Sequence, residues 1–435
     1  MRWSGQTISI IGDFVFTTTL VVWIAVDLSK GQAWAPLAVS GVLIAASVPF
    51  LLVGPLAGVF VDRWDKRSTI LRMTLLQAAA VASLLLASGI VPLPFIQGGR
   101  LPLAWTLGAI YAVVFLVNAF GQFANPASLA LIGDIVSEPD RPRAMGLAQV
   151  SGALATIVGP PLAAPLLLTF GVHWALIIDA LSFLVAFATV TAIRAPRAMI
   201  SVAPGQRGSF AGELRAGIDF FFGNRVLVTL LVALSIAMLG AGALNALDVF
   251  FVTQNLHTDA HLYGVVGAAQ AVGILIGAAV AGTLAVRAGL GRTIWASMIA
   301  LGITLLVWAR MTSFVPALGV LFVGGIAQAA LNVAAAPLML RVTPKALIGR
   351  ATAVVNPVIT LASLISIALA GYLDSTVLAG FHATIYGLTF GPVDTIFAVA
   401  GLLVLLGGLY AMVMLRGVDA PSTEAAPAAD ARAVP

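Results

Sequence analysis

Asp13 sits in a run of apolar residues with no cationic residue between Arg2 and Lys30. A carboxyl set in such a run is expensive to keep charged away from water, so it is a candidate for taking up and releasing a proton or another cation. The other reading is a structural Asp hydrogen-bonded to the backbone or to the hydroxyls of Ser9 and Thr17, and the sequence leaves both open. Asp179, Asp248 and Asp27 also fall in apolar runs, and packing, capping or a reach to water explains each of them. Neutral amides form a second set: Asn118, Gln122 and Asn125 at near-helical spacing, Asn245, and then Gln328 and Asn332. Such groups suit a cavity for a large, mainly apolar small molecule, and they serve equally well as hydrogen-bonding glue between helices. Catalysis finds no support. Gly12-Asp13 and Gly133-Asp134 lack the further glycine of an intramembrane aspartyl protease, and no zinc-protease pattern, serine nucleophile elbow or phosphate-binding loop occurs. The chain has no cysteine and four scattered histidines, so no metal ligand cluster and no cofactor is expected.

The elements that must hold these residues are membrane helices. Hydrophobic residues make up 60% of the chain and charged ones 9%, with a mean hydropathy of +1.07, a composition that the polar surface of a soluble domain cannot cover. Gly, Pro and charge divide the chain into twelve segments long enough to span a bilayer, at 6–28, 36–61, 69–91, 103–134, 144–169, 173–193, 225–252, 262–286, 292–312, 315–341, 349–373 and 393–415. All but Lys30, Arg100 and Arg310 of the 22 Lys and Arg residues fall at one set of alternate ends. The positive-inside rule then predicts a multi-pass plasma-membrane protein with both termini cytoplasmic. The net charge of +5 and pI near 10 follow from that bias and from anionic lipid, and predict no nucleic-acid partner. Trp34, Trp105, Trp174 and Trp308 sit at predicted helix ends, where interfacial rings are expected. The N-terminus runs straight into the first apolar segment without a small-residue cleavage pattern, so no removable signal is expected.

The stretch 194–224, with Pro196, Pro204-Gly205, Gly208 and a surface-helix pattern over Gly212–Asp219, divides the chain. The expected organisation is an all-α polytopic protein: a six-helix bundle over 1–193, a cytoplasmic loop over 194–224, a second bundle over 225–417, and an Ala- and Pro-rich disordered tail over 418–435. Internal repetition supports a duplication. The fourth and tenth segments align without a gap, pairing Asn125 with Asn332, Leu131 with Leu338 and Arg143-Ala144 with Arg350-Ala351. The second and eighth pair Gly58 with Gly282 and Arg63 with Arg287.

Between the second and third segments lies Gly58-Val-Phe-Val-Asp62-Arg63-Trp64-Asp65-Lys66-Arg67. This resembles the signature of the major facilitator superfamily, with Asp65 where a glycine is usual. The resemblance implies the major facilitator fold, two pseudo-symmetric six-helix bundles, and a gating role for Gly58, Asp62, Arg63, Lys66 and Arg67. Asp62 would face the start of the eleventh helix near Ile348-Gly349, and Arg63 a carboxylate. In the fifth segment, Gly146 followed by Gly159-Pro160 is similar to the antiporter motif of drug-efflux members, with Ala155, Ala163 and Ala164 in place of family glycines. Small residues and prolines let helices cross closely and bend, which suits a gate and also suits ordinary packing. With Gln6 to Asp13, Asp179 to Phe183 and Gly212 to Gly217, the chain resembles the branch that contains the enterobactin exporter and the macrolide efflux pumps. The fourth segment lacks the arginine that many proton-coupled exporters carry. The resemblance implies a secondary exporter of drug-like or siderophore-like small molecules across a bacterial inner membrane, driven by proton or other cation antiport; a monomer is expected, and its setting in an apolar run makes Asp13 the candidate coupling carboxylate. A nutrient importer of the same fold and a non-transporting receptor or scaffold are the alternative readings.

Overall fold

A computed structural model describes residues 2–61, 63–89, 101–192, 219–385 and 388–419. Asp62, most of the central loop and all but the first two residues of the tail lie outside the described residues. Twelve helices are long and apolar enough to cross a membrane, and they fall where the apolar segments predict. In order they are Arg2–Val22, Ala35–Leu52, Lys66–Ala87, Leu103–Ile135, Arg141–Phe170, Val172–Thr191, Arg225–Gln254, Tyr263–Ala288, Leu290–Trp308, Phe314–Val342, Ile348–Tyr372 and Pro392–Met414. The first and eleventh continue as short π-helical turns, Trp23–Leu28 and Leu373–Val377. The second is interrupted at Val53 and resumes as Gly54–Val61, because Pro55 has no N–H to carry the ladder onward. Trp105 and Trp174 are exposed at helix ends, as interfacial rings are. Trp308 corrects that expectation: it is fully buried against Phe251, with ring centroids 4.9 Å apart.

The helices pack in a repeated pattern. In the first half the first helix packs on the fifth and sixth, the third on the fourth and sixth, and the second on the fourth. In the second half the seventh packs on the eleventh and twelfth, the ninth on the tenth and twelfth, and the eighth on the tenth. Each pairing has its counterpart six helices on, the packing expected of a duplicated bundle. The halves meet through the second helix on the eleventh and the fifth on the eighth, again a related pair.

That meeting is confined to one end. The end bearing the chain's N-terminus, Lys66, Arg141, Arg225, Arg287 and Arg350 is here termed the basic end. Away from it, one continuous apolar core runs through both halves, from Phe16, Val39 and Leu176 to Leu247, Phe251, Ile367 and Phe397. Toward the basic end the core splits, with Val61, Ile70, Leu131 and Val190 in the first half and Leu230, Ile294, Leu331 and Leu338 in the second. Glycines report the same asymmetry. A Cβ at Gly264 would strike the Pro160 carbonyl of the fifth helix, and one at Gly371 would strike Ser40 of the second. Gly58, Gly146, Gly282 and Gly349, nearer the basic end of the same four helices, meet nothing within 4 Å among the described residues. The molecule is therefore closed at the far end and parted at the basic end.

Helix ends are capped by short-range chemistry. Asp65, in the family's usual glycine position, N-caps the third helix by accepting from Ser68 N at 2.8 Å. Asn224 does so for the seventh, accepting from Val226 N at 3.0 Å. The turn between the eighth and ninth helices has Gly289 at φ 95°, which no L side chain adopts easily, and a glycine offers no cap. A carboxylate arrives from elsewhere. Asp419 Oδ1 and Oδ2 accept from Gly291 N and Arg292 N, both at 2.9 Å. Composition assigns Asp419 to a disordered tail, and that boundary is corrected here: the residue folds back because four amides at a helix start need acceptors. Asp419→Ala is expected to lower stability by about 0.5–2 kcal/mol, read as earlier thermal unfolding of the purified protein, with Asp419→Asn retaining most of it. At the far end a two-stranded hairpin, Ala383–Ile385 with Leu388–Phe390, precedes the twelfth helix. Arg310 stacks over Phe390 at 4.5 Å and pairs with the buried Asp394 at 3.2 Å.

Candidate transport cavities and gates

The predicted site residues divide between two cavities, one in each bundle. The first, of about 90 Å³, is walled by the first, third, fourth and sixth helices and lined by Gln6, Ser9, Asp13, Thr74, Gln77 and Asn125, among others. The second, of about 200 Å³, lies between the seventh to tenth helices and Val404 of the twelfth, with Asn245, Gln270, Thr304, Gln328 and Asn332 on an otherwise apolar wall. The walls correspond under the duplication, and the matched Asn125 and Asn332 each face their own cavity. Asn118 lines neither. Its amide donates to Val114 O of its own helix at 2.8 Å. Gln122 sits beside Gly54, where a Cβ would lie 3.4 Å from its Oε1.

Chemically the two cavities differ. Asp13 is half-buried in the first wall, and among the described residues it makes no hydrogen bond to Ser9 or Thr17. Asp179 of the sixth helix lies against the first helix at Gly12, the residue that precedes Asp13. The first and sixth helices touch here because position 12 is glycine: a Cβ would fall 2.7 Å from Asp179 Oδ1 and 2.5 Å from Ser182 Oγ. The second cavity has no ionisable residue in its lining, and Gln270 Nε2 donates to Gln328 Oε1 at 3.2 Å. Among the described residues, neither cavity is lined by Lys, Arg or His.

Gln77 and Gln270 went unremarked in the sequence, although each is an amide in an apolar helix, the same signal that marks Asn125 and Gln328. Gln77 Nε2 donates to Val117 O at 3.1 Å, tying the third helix to the fourth.

The turn for which the sequence predicts a gating role lies at the parted end. Lys66 Nζ donates to Asp134 Oδ2 at 2.6 Å, joining the third helix to the end of the fourth. Arg67 donates to Thr191 O at 2.7 Å and Val190 O at 3.4 Å, completing the carbonyl end of the sixth helix. Gly58 and Arg63 are exposed, and Asp62 lies outside the described residues. In the fifth helix Gly146 is open. Gly159 packs on Phe14 of the first helix, where a Cβ would fall 2.6 Å from its side chain. Pro160 follows at the contact with Gly264, and the neighbouring Ala155, Ala163 and Ala164 are fully buried. The antiporter-like run is thus where the first, fifth and eighth helices come together.

Among the described residues, twelve helices long and apolar enough to span a bilayer, in two pseudo-symmetric bundles parted at one end and with a cavity in each, are the architecture of a multi-pass membrane protein. The chain belongs to the Major Facilitator Superfamily, whose family model matches residues 3–252 and 230–435. It is 25% identical over 248 residues to macrolide efflux protein A of Streptococcus pyogenes, covering 56% of each chain. It is 27% identical over 203 residues to macrolide efflux protein A of Enterococcus faecalis, covering 46% of this chain and 58% of that one. The chain therefore spans a little over half the length of the curated relatives it matches. Among solved structures, a bacterial homologue of the iron transporter ferroportin in an inward-facing state aligns with a TM-score of 0.72 at 14% identity, over 95% of this chain and 97% of that one. The nucleoside transporter NupG aligns at 0.69 and 12% identity, over 95% and 98%. At these identities the likeness is one of fold.

Proposed function

We propose that the protein exports lipophilic, drug-like organic molecules across the plasma membrane by alternating access, exchanging them for protons. The observation that carries this reading is the single apolar core shared at one end and split at the other. Two bundles related by a pseudo-two-fold can rock about that contact, closing the basic end and opening the far one. With the basic end in the cytoplasm, as charge bias favours, the present conformation faces inward and both termini are cytoplasmic. The turn at Gly58, Asp62 and Arg63 then latches the inner side in the opposite state. Asp13 is the coupling carboxylate of the first bundle, and the amide-lined cavity of the second takes the substrate. The uncharged lining of that cavity favours neutral, largely apolar molecules over anionic siderophores, and the match to macrolide efflux proteins supports a macrolide-like class and the outward direction.

The test is reconstitution. Purified protein in liposomes should accumulate a macrolide such as erythromycin when the lumen is made acidic, in molecules inserted with the basic end outward, beyond the acid trapping of this weak base that protein-free liposomes show. Accumulation indifferent to the pH gradient would reject proton exchange, and no movement of any lipophilic compound in a panel would reject export. Gln328→Leu, which strands Gln270 and removes an amide from the second cavity, is expected to raise the half-saturating substrate concentration by roughly fivefold or more, the effect of about 1–3 kcal/mol for an unpaired buried polar group. The pH dependence should stay unchanged.

A further inference from the structure

Asp179 has no part in the mechanism so far, and its setting is unusual. It is fully buried at 0% exposure, in the middle of the sixth helix, and its Oδ2 has no hydrogen-bond partner among the described residues. Its Oδ1 is reached only by the Ser182 hydroxyl, at 3.5 Å, a hydroxyl that also donates to the Asp179 carbonyl at 2.7 Å. A packing or capping Asp would satisfy its oxygens with backbone amides, as Asp65, Asp394 and Asp419 all do. Asp179 lies seven residues beyond the start of its helix instead, where every amide is committed to the ladder. Glycine at position 12 brings the first helix against it, and the adjacent residue is Asp13.

We propose that Asp179 is the second carboxyl of the coupling site, so that Asp13 and Asp179 together hold one exchangeable proton between them. This rests on the proton-exchange reading above. Two carboxylates at one contact between apolar helices need a positive partner, and the described residues that face them supply none. The facing groups are Thr74 and Gln77 from the third helix, Asn125 and Ser128 from the fourth, and Ser151 and Gly159 from the fifth, all uncharged. Lys66 is already paired with Asp134 and Arg67 with carbonyls at the basic end. Asp13, which lines the cavity, is the member that exchanges its proton with water. Asp179, sealed behind it, supplies the second oxygen acceptor and lets the bound proton be shared as the helices shift. Ser182 is a positioning residue that orients the buried carboxyl.

Transport in two modes tests the pairing. Gradient-driven accumulation of erythromycin needs the proton site, whereas exchange of labelled for unlabelled erythromycin across the membrane, at equal pH, needs only binding and rocking. Asp179→Asn should lower gradient-driven accumulation by roughly tenfold or more, as loss of a proton-transfer group does, while exchange stays near the wild-type rate and Asp179→Glu restores the drive. The double variant with Asp13→Asn should be no worse than Asp13→Asn alone, since both act in one step. Ser182→Ala keeps both carboxyls and serves if Asp179→Asn fails to insert. It should move the pH at which accumulation is half-maximal without altering exchange. Drive lost in Asp13→Asn but kept in Asp179→Asn, or an unmoved profile in Ser182→Ala, overturns the pairing alone. Absence of gradient-driven movement in the wild type overturns the proton-exchange reading and the pairing with it.

Discussion

Gly264→Leu is expected to drive the protein out of the conformation described above. In that conformation the eighth helix meets the fifth with backbone against backbone, and the Pro160 carbonyl occupies the space of any side chain at 264. A forced contact of this kind costs about 1–3 kcal/mol, which shifts a two-state population by roughly 5- to 150-fold. The state relieved is the one in which the far end parts. Gly282→Leu supplies the opposite case on the same helix, because nothing lies within 4 Å of Gly282 here while closure of the basic end would crowd it. That substitution should hold the molecule in the present state. The chain has no cysteine, so a pair introduced as Arg143→Cys and Arg287→Cys, at the exposed basic ends of the fifth and eighth helices, can carry spin labels without background. The distance between them should shorten in Gly264→Leu and stay long in Gly282→Leu. Equal distances in both would mean that the fifth and eighth helices do not form the gate.

Much of the architecture is legible in the residues because bilayer helices announce themselves by length, apolarity and alternate charge. The twelve segments and the pairing of Asn125 with Asn332 came from such signals, and the packing of the two halves has the symmetry that the repeat implies. What was not legible depends on contacts between residues distant in the chain. Asp419 reads as tail until the bare N-terminus of the ninth helix is placed beside it. Trp308 reads as an interfacial ring until Phe251 and Phe397 close around it. Asp179 reads as a packing residue because what it meets, the first helix at Gly12 beside Asp13, is distant in the chain. The amides shared between the two cavities were visible as polar residues in apolar runs. Their separation into one acidic and one neutral cavity required knowing which helices wall each space.

Asp13→Asn is expected to have the largest effect on transport, abolishing the response to a pH gradient while leaving the substrate cavity intact. In the proposed cycle the proton and the substrate favour opposite states, and coupling is the difference in affinity that each has for the two. Asn fills the same space as Asp and cannot carry a proton, so it removes that difference and nothing else. Gradient-driven accumulation should fall by about 100-fold or more, the range associated with loss of a proton-transfer group. Binding linkage gives an independent measurement. If substrate and proton bias the two states in opposite directions, adding substrate to purified protein in weakly buffered detergent solution must release protons, and by reciprocity an acidic medium must weaken substrate binding. The wild type should show both effects and Asp13→Asn neither, with its substrate affinity independent of pH. The sign is decisive: proton uptake on substrate binding would indicate that the two travel together, making the protein a symporter and reversing the assignment of direction. Proton release of equal size in Asp13→Asn would move the coupling group elsewhere in the molecule.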